Sequence, residues 1–149
     1  MSDSWLQYIP KCPTFRPSET ADGEARTLLS ALLPGAESVE STFHEQVTFF
    51  HPGGNWSGVQ CPVCGTDAET WWLEAMEVAA DSSFSSLEFV APCCEARVSL
   101  NEMNYGWPTG FASYIVEAMN PNSKGLLSSQ LVELEAVLGC ELREIALHT

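Results

Sequence analysis

Basic residues are scarce in this chain. It has 149 residues, with six Lys and Arg against 20 Asp and Glu, and a formal net charge of −14. No Lys or Arg occurs between Arg26 and Arg97. Because the backbone of a nucleic acid is densely negative, we expect the chain not to bind DNA or RNA directly. The same charge would favour a basic protein as a partner, or it would serve only to keep the protein in solution.

Long apolar runs are also lacking, and no stretch approaches the ~20 apolar residues that a membrane helix needs. The segment from Met1 to Trp5 contains neither the basic region nor the apolar core of a signal peptide. We therefore expect a cytoplasmic protein that does not associate with a membrane. A length of 149 residues is typical of one domain, and a hydrophobic content of 45% excludes a disordered chain. We predict a single domain over residues 1–149.

The hydrophobic pattern predicts an α+β fold with a mostly antiparallel sheet and about four helices. Strands are predicted over 5–9, 39–50, 57–60, 87–91, 97–100 and 142–147. Helices are predicted from a cap at Ser18 to Pro34, over 68–80, over 111–119, and from Ser128 to Gly139. Between the second and third strands, residues 53–55 predict a hairpin turn, from which the chain returns as the strand over 57–60.

Four of the six cysteines fall into two short motifs, Cys61-Pro62-Val63-Cys64-Gly65 and Pro92-Cys93-Cys94. Two thiolates separated by two residues can bind one tetrahedral ion from a tight turn, and the glycine permits the positive φ of that turn. The second motif departs from this spacing, because adjacent residues on an extended chain point in opposite directions and a kink would be needed. We predict a zinc-ribbon-like site, inserted over residues 61–94, whose ligands are Cys61, Cys64, Cys93 and Cys94.

The fourth ligand and the role of the metal leave alternatives open. Three of these cysteines with His51 or His44 would also complete a tetrahedral site. We expect the zinc to be structural, because no carboxylate stands at a spacing that marks a general base. The competing hypothesis is a small cysteine-based enzyme or a redox sensor that uses the same four cysteines. The acidic surroundings argue against it, since negative charge is expected to raise the pKa of a thiol.

The predicted helix over 68–80 has an apolar stripe that includes Trp72 and Ala79. Its opposite face is acidic, and lies in the part of the chain that has no basic residue. A continuous negative surface of this kind would steer a positively charged protein towards it. We predict that the residues binding a basic protein partner are Glu74, Glu77 and Asp81.

Several motifs resemble those of a family of small uncharacterised bacterial proteins. They are residues 5–10, the Cys-Pro-Val-Cys-Gly motif with Trp71-Trp72, the Pro-Cys-Cys motif with Ser99-Leu100-Asn101, and Trp107-Pro108 with Gly110-Phe111. The resemblance implies a stand-alone, cytoplasmic, zinc-binding domain, and a glycine where Glu95 stands. Some small acidic bacterial proteins of this size are immunity proteins that neutralise toxins. We therefore expect a non-enzymatic zinc-binding interaction protein, such as an immunity protein or another inhibitor of a basic protein.

Overall fold

The computed structural model describes residues 3–149, which form eight strands, three α-helices and one short 3-10 helix. The strands are β1 (Ser4–Pro10), β2 (Ser38–Phe50), β3 (Val59–Gln60), β4 (Glu88–Val90), β5 (Arg97–Ser99), β6 (Asn104–Tyr105), β7 (Gly110–Met119) and β8 (Leu142–His148). The α-helices are α1 (Glu19–Leu32), α2 (Glu69–Asp81) and α3 (Ser128–Leu138), and the 3-10 helix is Leu100–Glu102.

The largest sheet has four strands in the order β2-β7-β1-β8, while β3 pairs with β6 and β4 pairs with β5. All of these pairs are antiparallel, so the predicted α+β fold with a mostly antiparallel sheet is confirmed. Helices α1 and α3 cover one face of the large sheet, against alternate residues of β1 and β7. Fully buried residues in this core include Tyr8, Tyr114, Leu29 and Leu134.

Three of the four predicted helices are present. Ser18 caps α1, where its hydroxyl accepts a hydrogen bond from the backbone N–H of Ala21 at 3.1 Å. Gly139 ends α3 in the left-handed conformation, with φ +83°. Helix α2 lies within one residue of the predicted range at each end. No helix in the described part of the chain is long and apolar enough to cross a membrane.

The predicted helix over 111–119 is wrong, because this segment is strand β7. Strand β7 lies between β1 and β2 in the sheet. Both of its faces are covered, and its side chains form an almost continuous buried run from Gly110. The apolar residues of such a run also match the spacing of a helix, which is why the pattern favoured the wrong element. The described residues therefore contain three α-helices, not four.

The predicted hairpin between the second and third strands is also wrong, because β3 pairs with β6 and not with β2. After β2 the chain turns towards the end of β8, where the N–H of Gly54 donates to the carbonyl of His148 at 2.7 Å. Gly53 has φ +63°, and a Cβ there would collide with the same carbonyl oxygen. This turn carries the chain away from the large sheet.

Residues 59–105, here called the cysteine lobe, form most of a second hydrophobic core. Its buried members include Val59, Cys61, Trp72 and Ala91. Phe111 of β7 belongs to the same core, and its ring lies 4.9 Å from that of Phe49 in β2. The cysteine lobe therefore packs against the large sheet through aromatic contacts, and its two cysteine motifs lie in the loops that follow β3 and β4.

Candidate metal centre

The first cysteine motif forms a tight loop that begins where β3 ends. The N–H of Gly65 donates to the carbonyl of Cys61 at 3.0 Å, and the N–H of Cys61 donates to the carbonyl of Thr66 at 2.9 Å. Gly65 has φ +76°, so the glycine predicted to permit the turn does so. The loop places Cys61 and Cys64 on the same side of the turn, as the spacing predicted.

The second motif forms a loop with the same hydrogen bonds. The N–H of Glu95 donates to the carbonyl of Ala91 at 2.7 Å, and the N–H of Ala91 donates to the carbonyl of Ala96 at 2.8 Å. Residues 91–96 therefore correspond one to one to residues 61–66. In this correspondence Ala91 takes the place of Cys61, and the two adjacent cysteines take the third and fourth positions. Cys93 and Cys94 lie in a turn and not on an extended segment. Their side chains are therefore not forced to point in opposite directions, and both sulfurs can face the same ion.

The correspondence between the loops was present in the sequence and was missed. Pro62 and Pro92 stand at the same position of the two segments, Cys-Pro-Val-Cys-Gly-Thr and Ala-Pro-Cys-Cys-Glu-Ala. Aligning the segments on these prolines, instead of on the cysteines, would have predicted a second turn of the same kind. It would also have assigned to Glu95 the positive φ that it has, +60°.

The two loops bring four sulfur atoms together. The Sγ atoms of Cys61 and Cys94 are 3.8 Å apart, and those of Cys64 and Cys93 are 3.4 Å apart. All four sulfurs lie within 4.8 Å of one another. A tetrahedral zinc site with Zn–S bonds of about 2.3 Å has S–S distances of about 3.8 Å. The four cysteines therefore fit a single metal ion without rearrangement of the backbone.

The four thiols differ in exposure and in pKa. Cys61 is buried, Cys94 is half-buried, and Cys64 and Cys93 are exposed. A hydrogen bond with the Thr66 hydroxyl, 3.0 Å from its sulfur, lowers the pKa of Cys64 to about 6. Thr66 also favours the thiolate of Cys93, but desolvation and the neighbouring thiols together raise the pKa of Cys93 to about 11.

These pKa values correct one expectation from the sequence. The acidic surroundings were expected to raise every thiol pKa, yet hydrogen bonds within the first loop lower the pKa of both its cysteines, with the backbone of Cys64 the main cause at Cys61. Local donors at about 3 Å act more strongly than carboxylates that are solvated and more distant. A metal ion must displace the protons of all four thiols, and the first loop eases this step.

The two histidines offered as alternative ligands lie elsewhere. His51 accepts a hydrogen bond from the N–H of Gly53 at 3.0 Å and stacks on the ring of Trp56, with centroids 4.9 Å apart. The ring of His44 lies 5.6 Å from that of Phe50. Among residues 3–149, the group of side chains placed to hold a metal consists of the four cysteines alone.

The remaining two cysteines are also outside this group. Cys12 is exposed beyond the end of β1, with its sulfur 3.6 Å from the hydroxyl of Thr14. Cys140 is half-buried and packs against the core beneath α1 and α3. These two thiols are therefore internal controls for the metal site.

The acidic residues predicted to bind a partner lie together on α2. Glu74, Glu77 and Asp81 are all exposed, whereas Trp72 and Ala79 on the opposite side of the helix are buried. The buried side of this helix is therefore apolar, as predicted, and its exposed side carries the three acids together with Leu73 and Val78. Helix α2 begins at Glu69, three residues after the first cysteine loop ends at Thr66.

The chain matches no protein-family model, no curated protein and no solved structure. Its resemblance to the family of small bacterial proteins consequently stays a prediction. What the residues can do follows from their chemistry and positions: four convergent thiols that could hold one metal ion, beside a helix with an exposed acidic face.

Proposed function

We propose that this chain is a non-enzymatic zinc-binding interaction protein. Its metal ion stabilises the folded cysteine lobe, and its acidic face binds a basic protein. The observation that supports the metal is the group of four sulfurs within 4.8 Å of one another. Soft thiolate ligands in tetrahedral geometry favour zinc over magnesium or calcium. With four protein ligands the coordination sphere is closed, which is typical of structural and not of catalytic zinc.

The charge of the cysteine lobe supports a basic partner. Residues 59–105 contain eight carboxylates, and their one base is Arg97. Four thiolates around one Zn²⁺ would add two further negative charges. A surface of one sign accelerates the association of an oppositely charged protein and repels nucleic acids. An immunity protein that neutralises a basic toxin is one function of this kind.

Chelation tests the structural role of zinc. Because metal-binding free energy is also folding free energy at such sites, chelation should lower the melting temperature by many degrees. The buried residues of the cysteine lobe, Trp72 among them, should then become exposed and shift the tryptophan fluorescence to the red. A melting temperature that does not change on complete removal of the metal would contradict a structural role.

Charge reversal on α2 tests the partner-binding face. Proteins retained by the tagged chain in its native cell would be identified by mass spectrometry, and the association rate of the purified partner measured. Replacing Glu74, Glu77 and Asp81 by Lys should slow association about tenfold or more at low ionic strength. The matched control replaces three exposed acids elsewhere, Glu24, Glu37 and Glu133. Equal association rates for the two triple variants would remove the acidic face from the explanation.

A redox sensor or small cysteine-based enzyme is the second candidate, favoured by the 3.4 Å separation of the Cys64 and Cys93 sulfurs. Two thiols this close can form a disulfide with little movement of the chain. This function predicts a metal-free protein that gains an intramolecular disulfide under mild oxidation. Elemental analysis and the intact mass of the purified protein separate the two candidates.

A further inference from the structure

An apolar groove runs between α2 and the hairpin formed by β4 and β5. Its volume is about 470 Å³, within the range of about 300–1,000 Å³ that is usual for ligand sites. The apolar side chains that line it are Trp71, Ala75, Val78, Ala79, Leu87, Phe89, Pro92 and Leu100. The groove is open to solvent along one side, so it is shaped for side chains that a partner presents from outside.

The groove exposes apolar surface that nothing in the described chain covers. Val78 is 72% exposed at its edge, although it belongs to a helix whose other face packs well. The rings of Trp71 and Phe89 meet edge to face, with centroids 5.1 Å apart, and connect the two walls. Exposed apolar surface bounded by polar residues is typical of a site where another protein docks.

The edges of the groove are acidic. Glu74 on α2 and Glu88 on β4 both line it, on opposite walls. Glu88 is paired with Arg97 at 3.7 Å, whereas Glu74 has no ion-pair partner in residues 3–149. An occupant therefore meets an apolar floor between two carboxylates, of which one is free to pair with a new cation.

The groove is also coupled to the candidate metal centre. Pro92, which lines one end, belongs to the second cysteine loop and is adjacent to Cys93. The β4–β5 hairpin that forms one wall carries the second loop, whose sulfurs lie within 4.8 Å of those of the first loop. Binding of a metal ion would thus fix the distance between the walls, and its loss would loosen the groove.

We propose that this groove binds a segment of the basic partner that presents large apolar side chains next to Lys or Arg. The proposal rests on the function proposed above and assigns to it the place where the partner is anchored. The apolar side chains would pack over the contacting rings of Trp71 and Phe89 and against Val78. The long apolar stems of Lys or Arg pack along such walls while their charged ends reach the carboxylates of Glu74 and Glu88.

The test uses peptides as probes and one pair of matched variants. Random peptides of about 12 residues displayed on phage, long enough to span such a groove, are selected on the zinc-loaded protein. Val78 lines the groove, whereas Leu73 is an exposed apolar residue, 55% accessible, on the same helix but outside the groove. Leu73→Lys therefore makes the same change of charge and is the control.

The selected peptides should combine large apolar residues with Lys or Arg. Fluorescence anisotropy should show binding about tenfold or more weaker to Val78→Lys, and unchanged within about twofold for Leu73→Lys. Glu74→Gln should weaken binding several-fold and reduce its dependence on salt, and Glu133→Gln should not. Chemical-shift changes on titration of the wild-type protein should fall on residues of the groove.

Three results would overturn the proposal. Selected peptides that bind Val78→Lys as well as the wild type would exclude the groove, while leaving the acidic-face proposal to its own charge-reversal test. Peptides without basic residues, bound equally at low and high salt, would exclude a basic occupant and count against the proposed function as well. A selection that enriches no binding peptide would show that the groove has no docking capacity.

Discussion

Gly65 and Glu95 occupy the same position in two loops of the same construction. Their φ angles are +76° and +60°, and each donates its N–H to the carbonyl four residues earlier. The loop needs a left-handed residue at this point whatever the side chain is. Glycine adopts that conformation without a steric cost, whereas glutamate adopts it only with one. The second loop therefore contains local strain that the first does not.

Glu95→Gly should stabilise the zinc-loaded protein by about 1 kcal/mol, because it removes the strain of a side chain at positive φ. Gly65→Ala should destabilise it by a similar amount. A Cβ at position 65 has no atom within 4 Å, so the cost there is conformational and not a collision. Urea denaturation of both variants in the presence of zinc measures the effects. A loss of stability in Glu95→Gly would show that the glutamate side chain contributes a compensating contact.

Transfer of a ligand from position 93 to position 91 should be tolerated, because Ala91 is the counterpart of Cys61. Cys93→Ser should weaken zinc binding by about 3 kcal/mol, roughly a quarter of what a structural zinc site contributes. The double variant Ala91→Cys, Cys93→Ser should regain most of that loss. Competition with a coloured chelator measures the three affinities. Failure of Ala91→Cys to restore binding would mean that the loops correspond in backbone only.

One zinc ion per chain is expected in protein purified without added metal, because all four sulfurs lie within 4.8 Å of one another. Native mass spectrometry measures the stoichiometry and identifies the metal. Cys61→Ser or Cys64→Ser should weaken zinc binding by about 3 kcal/mol or more, as at Cys93, and lower the fraction of chains that carry the ion. Ser at position 12 or 140 should leave it unchanged, since both thiols lie outside the group. His51→Ala should also have no effect. Loss of the ion in His51→Ala would contradict the ligand set of four cysteines.

Alkali should unfold the protein through its tyrosines. Burial is the main cause that raises the pKa of Tyr8, Tyr105 and Tyr114. Glu144 raises the pKa of Tyr8 further, and Asp22 does the same for Tyr114. In the unfolded chain the pKa of tyrosine is about 10. The contribution of the three neutral tyrosines to the free energy of unfolding is therefore fully present below that pH, and it is lost as the pH rises above it. Tyrosinate absorbance should therefore appear cooperatively, together with the loss of the circular dichroism signal. Gradual ionisation in a folded protein would contradict this burial.

Local sequence signals predicted the parts of the fold that depend on nearby residues. The cap at Ser18 and the left-handed Gly139 each satisfy backbone groups of their own helix, so a few residues suffice to identify them. The same holds for the loop that ends in Gly65. The division of α2 into an apolar and an acidic face follows from helical spacing alone.

The errors occurred where a segment's environment is made by distant parts of the chain. The segment over 111–119 matched a helix by spacing, but β1 and β2 supply hydrogen bonds to both of its edges and make it a strand. The strand over 57–60 was assigned to its neighbour in sequence, although its partner is β6, more than 40 residues later. Pairing between strands that are distant in sequence depends on the fold of the whole chain, so a local sequence pattern cannot predict it.

The sequence by itself determined the chemistry of this protein: the one-signed charge, the four thiols and the type of metal they suit. These are properties of side chains and survive any arrangement of the chain. Only the tertiary structure decided that Cys93 and Cys94 sit in a turn that repeats the first loop, and that α2 and β4 enclose an apolar groove with Glu74 and Glu88 at its edges. Such sites are formed by residues that are far apart in sequence, and these residues come close together only when the core has packed.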